Sequence, residues 1–197
     1  MKKFSQPAER NKGPITNLLV NKFKGIKSAL EIASGSGQHI VTYAEAMTTT
    51  RWTPSDRDED CINSINEYIN ESDLKNISPP VLIDCSHNGW DVGIFDLIIS
   101  VNMIHIAPYE ACIGLFRNAQ QHLVENGHLA LYGPFFDRVN PIAESNLSFD
   151  QWLKQRDGSW GVRHLEDVAE TADEFGFHMI SSDSMPANNL TVIFCKK

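Results

Sequence analysis

The tract Glu31-Ile32-Ala33-Ser34-Gly35-Ser36-Gly37 closes an apolar run, opens a helix-period run, and lies nineteen residues ahead of Asp56, which ends a second strand-like segment. Glycines at a strand-to-helix turn remove the side chains that would hold the backbone off a ligand. An acid on the next strand can accept both hydroxyls of a ribose. The spacing therefore predicts a site for an adenosyl-bearing cofactor. A dinucleotide fingerprint needs a third glycine where this chain has Ile40, so that version of the motif fails. Rival readings exist for the same residues. Gly35 and Gly37 would also suit a tight turn with no ligand, and an acid placed before Arg57-Asp58-Glu59 would also suit a helix N-cap.

The elements that must position this turn follow from the apolar pattern. With 197 residues and no internal repeat, the chain reads as a single domain, 1–197. A chain of this size buries roughly two-thirds of its unfolded surface. Strand-like and helix-period runs alternate, which predicts an α/β fold: a doubly wound, seven-stranded, mostly parallel sheet. Strands are expected at 28–33, up to Asp56, and at 81–84, 95–101 and 128–132. A first helix is expected at 14–24, since Pro14 suits a first helical position, and a later one opens at Pro108 and stops at Asn126-Gly127. The last two runs, 177–182 and 190–195, are joined by the short turn Pro186-Ala187-Asn188-Asn189. Such a connection permits only antiparallel pairing, so one strand should oppose the rest. Residues 133–162 break the rhythm with Phe135, Phe136, Trp152 and Trp160, and are expected to form a substrate-side insertion. Their aromatics would wall an apolar acceptor or, equally, pack as an ordinary minicore.

Composition narrows the partners. A net charge of -8 and a pI near 5.3 argue against tight binding to a phosphate backbone, so no nucleic acid is expected. Cys61, Cys85, Cys112 and Cys195 show no C-x-x-C spacing, which predicts reduced thiols, no zinc or other metal, and a cytoplasmic setting. Lys2 and Lys3 are followed by polar residues instead of an apolar signal core, and the tract 97–108 is too short for a bilayer. A soluble protein with no membrane partner is expected. Nothing in the sequence fixes the oligomeric state.

The E-x-A-x-G-x-G turn resembles motif I of the class I S-adenosylmethionine-dependent methyltransferases, with Ala33 where the first glycine usually stands. The order of elements matches as well, so the resemblance covers most of the chain. More closely, the tracts Pro7-Ala8-Glu9-Arg10-Asn11-Lys12, Asn102-Met103-Ile104-His105-Ile106-Ala107-Pro108, Tyr132-Gly133-Pro134-Phe135 and Pro186-Ala187-Asn188-Asn189 look like those of an uncharacterised methyltransferase-like branch. The resemblance implies a Rossmann-like sheet whose last strand inserts antiparallel, and S-adenosylmethionine as cofactor. It implies that Glu31 attracts the ammonium and that the backbone of Ala33, Ser34, Gly35 and Gly37 passes under the methionine and ribose. Asp56 would take the ribose hydroxyls, Asp84 and the Cys85 amide the adenine, and Asn102 the methionine portion. Arg10 and Asn11, on an N-terminal lid segment 1–25, would close over the carboxylate.

The implied activity is methyl transfer to a small-molecule substrate. Holding donor and acceptor in line can supply on the order of 7 to 11 kcal/mol, so no catalytic dyad is required. If the acceptor must lose a proton, His105 is the candidate base, since imidazole titrates near neutrality. Tyr109 and Tyr132 are candidates to orient the acceptor, with core or rim packing as the alternative for all three. Two other functions fit the same turn: a cofactor-binding sensor or scaffold that transfers nothing, and another adenosyl chemistry. The N/D-P-P-Y/F signature, the G-x-x-x-x-G-K-[ST] phosphate loop, H-E-x-x-H and G-x-S-x-G are all missing.

Overall fold

Ser5 begins the first helix. Its hydroxyl accepts the Ala8 N–H at 3.3 Å, and Pro7 takes a first-turn position that needs no donor, so α1 runs Gln6–Lys22 in the computed structural model, which describes residues 1–197. The helix thus starts well before the expected 14–24, and Pro14 lies inside it. The apolar stripe begins only at Ile15, but the polar first half is held by anchors that periodicity does not reveal. Gln38 accepts the Ser5 N–H at 2.7 Å and donates to Glu9 at 2.7 Å, and Asn11 pairs with His39 at 2.8 Å.

The remaining elements are β1 (Ser28–Ile32), α2 (Gln38–Ala46), β2 (Arg51–Asp56), α3 (Glu59–Ser72), β3 (Val81–Leu82) and β4 (Phe95–Val101). A single 3₁₀ turn, Met103–His105, leads to α4 (Tyr109–His122) and β5 (Leu123–Gly133). Then come β6 (Phe135–Phe136), α5 (Glu144–Arg156), β7 (Arg163–His164), α6 (Leu165–Glu174), β8 (Phe177–Met185) and β9 (Asn189–Lys196). The seven-stranded sheet has the order β3-β2-β1-β4-β5-β9-β8, and β9 runs antiparallel to both neighbours. The expected doubly wound sheet with one reversed strand is therefore observed. Expected bounds shift in places: α4 stops at His122, and Asn126, at φ 60°, instead lies in the irregular start of β5, where pairing with β4 slips between Phe95 and Leu97.

Each face of the sheet has its own core. Ile15, Leu19, Tyr43 and Trp52 pack with Leu97 and Ile99 on one side, while Leu115, Phe116, Phe177 and Phe194 pack with Ile98 on the other. Strand β4 is apolar except for Asp96 and Ser100 because both of its faces are covered. The insertion is tied down by β6 and β7, which form a parallel two-stranded ribbon.

Two glycines at the β1–α2 turn differ in purpose. Gly37 caps α2 at φ 96°, and a Cβ there would lie 2.9 Å from the Ile65 Cα of α3. Gly35 sits at φ 59° with no protein atom within 4 Å of where its Cβ would be. Combining left-handed strain with overpacking, Gly37→Ala should cost about 2 to 4 kcal/mol in denaturant unfolding. Gly35→Ala should cost only about 1 to 2 kcal/mol, from strain alone. Equal losses at the two positions would contradict this division.

Candidate functional site

The carboxyl ends of β1, β2 and β4 open on one edge of the sheet, where two cavities adjoin. The smaller, about 250 Å³, has Ala33 and Gly35 along one side, with Asp56, Arg57, Asp84 and Cys85 around it. Ile83, Met103, Ile106 and Ala107 give it apolar walls. The larger, about 500 Å³, is bounded by Pro7, Arg10, Asn11 and Pro14 of α1 and by Asn102, Tyr132 and Pro134. Ser145, Asn146 and Phe149 of α5 and the β8–β9 turn at Pro186, Ala187 and Asn189 complete it. Asn102 faces the larger cavity while its neighbours Val101 and Met103 face the smaller, so this residue is the partition. Its backbone is left-handed, φ 60°, a conformation Asn tolerates better than most residues.

The polar groups of the smaller cavity are held by backbone. Asp56 accepts the Gly35 N–H at 2.9 Å and the Asp58 N–H at 3.1 Å, which fixes its carboxylate beside the turn. The helix-cap rival for Asp56 falls to Asp58, which caps α3 by accepting the Asp60 N–H at 2.9 Å. Asp84 accepts the Ser86 hydroxyl at 2.6 Å and amide at 2.9 Å, and these bonds hold its carboxyl below the usual range. Burial pushes the Cys85 thiol up, leaving it a packed neutral wall.

Glu31 is the anomaly beside the site, since it lies behind the turn and lines neither cavity. It is 1% exposed, its Oε2 has no hydrogen-bond partner, and burial, aided by the nearby Asp56 charge, raises its pKa to about 8 against a weaker opposing bond from Ser34. The Tyr43 hydroxyl near it is also buried and unpartnered. His39, bonded to Asn11, is kept neutral chiefly by burial, with its pKa near 4. Tyr132 lines the larger cavity, and burial raises its phenol against a weaker bond from Asn11.

Other expected site residues do different work. Ser34 is buried; its amide donates to the Ser55 carbonyl at 2.8 Å and its hydroxyl accepts the Ser55 N–H at 3.2 Å, so it staples the turn to β2. The Gly37 N–H donates to the Ser34 carbonyl at 3.1 Å, and its missing side chain makes room for α3. The Asn102 carbonyl accepts the His105 N–H at 3.1 Å, which ties the residue to the turn that follows it. Tyr109 lines neither cavity; its hydroxyl donates to the Asp167 carbonyl at 3.0 Å and meets the Thr171 hydroxyl at 2.8 Å.

His105 is fully buried and likewise lines neither cavity. Its Nδ1 accepts the Arg163 N–H at 3.3 Å, its ring stands edge-on to Phe135 at 5.0 Å, and burial, reinforced by the Arg163 charge, drops its pKa to about 3. That environment gives the imidazole no contact with an acceptor proton, and it corrects the expectation of a base here. The aromatic wall is corrected too. Phe135 packs on His105, Phe136 on His164, and Trp152 turns outward between Phe149 and Arg156, so Phe149 alone of the insertion's aromatics lines the cavity.

Sequence reasoning passed over Arg57, Met103, Ile106, Asn146, Phe149 and the role of the β8–β9 turn. The one signal that pointed to several of them is the set of four separated tracts quoted above. Each supplies walls to these cavities: Pro7, Arg10 and Asn11; Asn102, Met103 and Ile106; Tyr132 and Pro134; Pro186, Ala187 and Asn189.

Residues 2–196 match the family model described as "Protein of unknown function (DUF938)". Among solved structures, the mitomycin 7-O-methyltransferase MmcR superposes with a TM-score of 0.85 at 16% identity, over 97% of this chain and 54% of that one. Human N-acetylserotonin methyltransferase in complex with SAM gives 0.78 at 13% identity, over 97% and 53%. The PH0226 protein from Pyrococcus horikoshii OT3 gives 0.76 at 14% identity, over 98% and 92%. The chain thus spans little more than half the length of the first two, and the likeness establishes the fold, that of the class I methyltransferases. No helix is long and apolar enough to cross a membrane.

Proposed function

The chain belongs to the DUF938 family, and on that premise we propose that it is an S-adenosylmethionine-dependent methyltransferase of a small-molecule acceptor, working in the cytoplasm as a single domain. One observation carries the reading: four tracts far apart in sequence converge on two adjoining cavities at the carboxyl edge of a doubly wound sheet, where such folds bind ligands.

The residues present fit the cofactor. The space where a Gly35 Cβ would stand is open, and the buried Glu31 Oε2 behind the turn lacks a partner, which an ammonium group could supply through a bridging water. Asp56 would hold the ribose hydroxyls, Asp84 and Cys85 the adenine between Ile83 and Met103, and Ala33 and Gly35 would pass beneath it. Glu31 would reach the ammonium through that water, Asn102 would meet the methionine chain, and Arg10 with Asn11 the carboxylate. Ser34 and Gly37 act by holding the turn's shape. When bound, the cofactor supplies a methyl group on a positively charged sulfur that leaves readily. The chain's own residues bind, orient and shield. Helix α1, closing the larger cavity through Arg10 and Asn11, serves as the lid, and 133–162 supplies the acceptor wall through Pro134, Asn146 and Phe149.

Titration calorimetry tests this. The folded protein should bind S-adenosylmethionine, and Asp56→Ala should weaken binding roughly 10- to 100-fold, the value of charge-assisted bonds to two hydroxyls. No heat of binding at near-millimolar cofactor sinks the proposal, and an unaffected Asp56→Ala variant sinks the ribose assignment. A second reading, a sensor that binds the cofactor and transfers nothing, draws on the lack of any carboxylate, imidazole, thiol or amine base among the larger cavity's walls. S-adenosylhomocysteine formation with any acceptor decides against it.

A further inference from the structure

The walls of the larger cavity say what kind of acceptor atom they can serve. Arg10 is their only charged residue, and Tyr132 is the only other titratable one. Burial keeps the Tyr132 phenol protonated at neutral pH. Behind the walls, Glu31 keeps its proton up to about pH 8 in the unliganded chain and, on the proposed binding mode, is paired by the cofactor's ammonium once charged, while His39 is neutral above about 4. Glu9, on the same helix as Arg10, is turned away and paired with Lys12 and Gln38. The amides of Asn146, Asn188 and Asn189 are spent on the local turn, donating to the Asn188 carbonyl, the Ser145 hydroxyl, and the Pro186 and Ala187 carbonyls. Four prolines and Phe149 make up much of the remaining wall.

Building on the proposed methyl transfer, we infer that the acceptor is a small molecule whose reacting atom is already an anion at neutral pH, an acidic enol or phenol oxygen or a thiolate, and not an alcohol or an amine. An alcohol would need a base to take its proton, and no wall residue can. An amine is an ammonium ion at neutral pH, with no lone pair for the methyl carbon until a base takes its proton, and the walls hold none. An anion needs no such base. Its lone pair forms the new bond to the methyl carbon while the carbon–sulfur bond breaks and that electron pair returns to sulfur. Cation and anion become a neutral thioether and a neutral methylated product, and no proton moves. Because charge disappears along this path, poorly solvating walls favour it, as opposite charges attract more strongly where the dielectric is low.

4-Nitrophenol tests the inference, since its two ionisation states differ in colour. Added to the protein saturated with sinefungin, whose amine stands as a cation in place of the sulfonium, the bound probe should ionise at a pH about one unit below its free value, reporting roughly tenfold preference for the phenolate. With S-adenosylmethionine, 4-nitrophenolate and thiophenolate should be methylated, while 2-phenylethanol and benzylamine should not. Across substituted phenols, the pH midpoint of kcat/KM should move with the acceptor's own ionisation. An unshifted or raised midpoint for the bound probe, no binding of the probe, faster transfer to the alcohol or amine, or a midpoint fixed across the phenols overturns the inference. Cofactor binding by calorimetry is scored separately, so loss of the inference leaves the methyltransferase reading standing, and loss of cofactor binding removes both.

Discussion

Replacing Glu31 with Gln should remove the fall with pH that this one carboxyl imposes on the unliganded protein's stability between about pH 5 and 8. The sign follows from the raised carboxyl, at about 8. In this window the folded chain keeps a proton that the unfolded chain has released, so stability is full below the unfolded value and falls as pH rises, by up to about 1.4 kcal/mol per pH unit. The amide of Gln copies the neutral carboxyl and has no proton to lose. Buried neutral His39 and His105 raise both profiles alike up to about pH 6.5, so denaturant unfolding at pH 5, 6.5 and 8 should show the wild type losing stability relative to the variant at each step, with a crossover that leaves the variant the more stable at pH 8. Cofactor binding should go the other way. An ammonium group draws Glu31 into its charged form, so calorimetry at pH 7 in buffers of different ionisation heat should register close to one proton released by the wild type and none by Glu31→Gln, with affinity down at least tenfold. Parallel pH profiles for the two proteins would refute the buried neutral carboxyl, and equal proton release would refute its partner.

Arg163 is the second residue whose loss should be felt widely. Its Nε donates to the Ile104 carbonyl at 2.9 Å and its Nη2 to the Ala107 and Ser159 carbonyls at 2.6 and 3.0 Å, while its backbone N–H holds the His105 ring. No acid pairs with it among the ion pairs of the fold. The guanidinium thus pins the segment after β4 to the insertion. That segment gives Asn102 to one cavity and Met103 and Ile106 to the other. Arg163→Ala should cost about 2 to 4 kcal/mol, since charged bonds are lost and carbonyls are left unpaired. Arg163→Lys should recover only part, because an ammonium on one stem cannot fork to several carbonyls. Cofactor affinity should fall in both variants, more in the first. A variant that unfolds like wild type, or binds cofactor unchanged, would show the clamp to be incidental.

The fold was largely legible because its signals are local. Alternating strand and helix periods, the glycine turn, and the short connection at Pro186-Ala187-Asn188-Asn189 announced a mostly parallel sheet with one reversed strand, while the insertion of that strand between two others followed from the family resemblance. The strand-end acids were legible for the same reason, since each closes a recognisable run, and Asp56 and Asp84 both reach a cavity. What escaped was whatever depends on partners distant in sequence. The polar half of α1 is helical because of Gln38 and His39, which no pattern within 6–13 announces. His105 has the residue type of a base, but its burial by Phe135 and the Arg163 segment is a tertiary fact. Met103 and Ile106 line a ligand cavity with side chains indistinguishable, as letters, from core. Gly37 shows the subtler limit: the residue type was read correctly as a close approach, yet the approaching group is α3.

The reversed strand β9 is the last of the seven in chain order, and the bend that leads into it carries Pro186, Ala187 and Asn189 to the larger cavity, where Asn146 of α5 grips the Asn188 carbonyl at 3.0 Å. Every other wall of both cavities precedes this bend in the chain. A chain cut before this hairpin would therefore carry every wall of the smaller cavity, all of them between residues 32 and 111, while the larger one stood open on the side that Pro186, Ala187 and Asn189 cover.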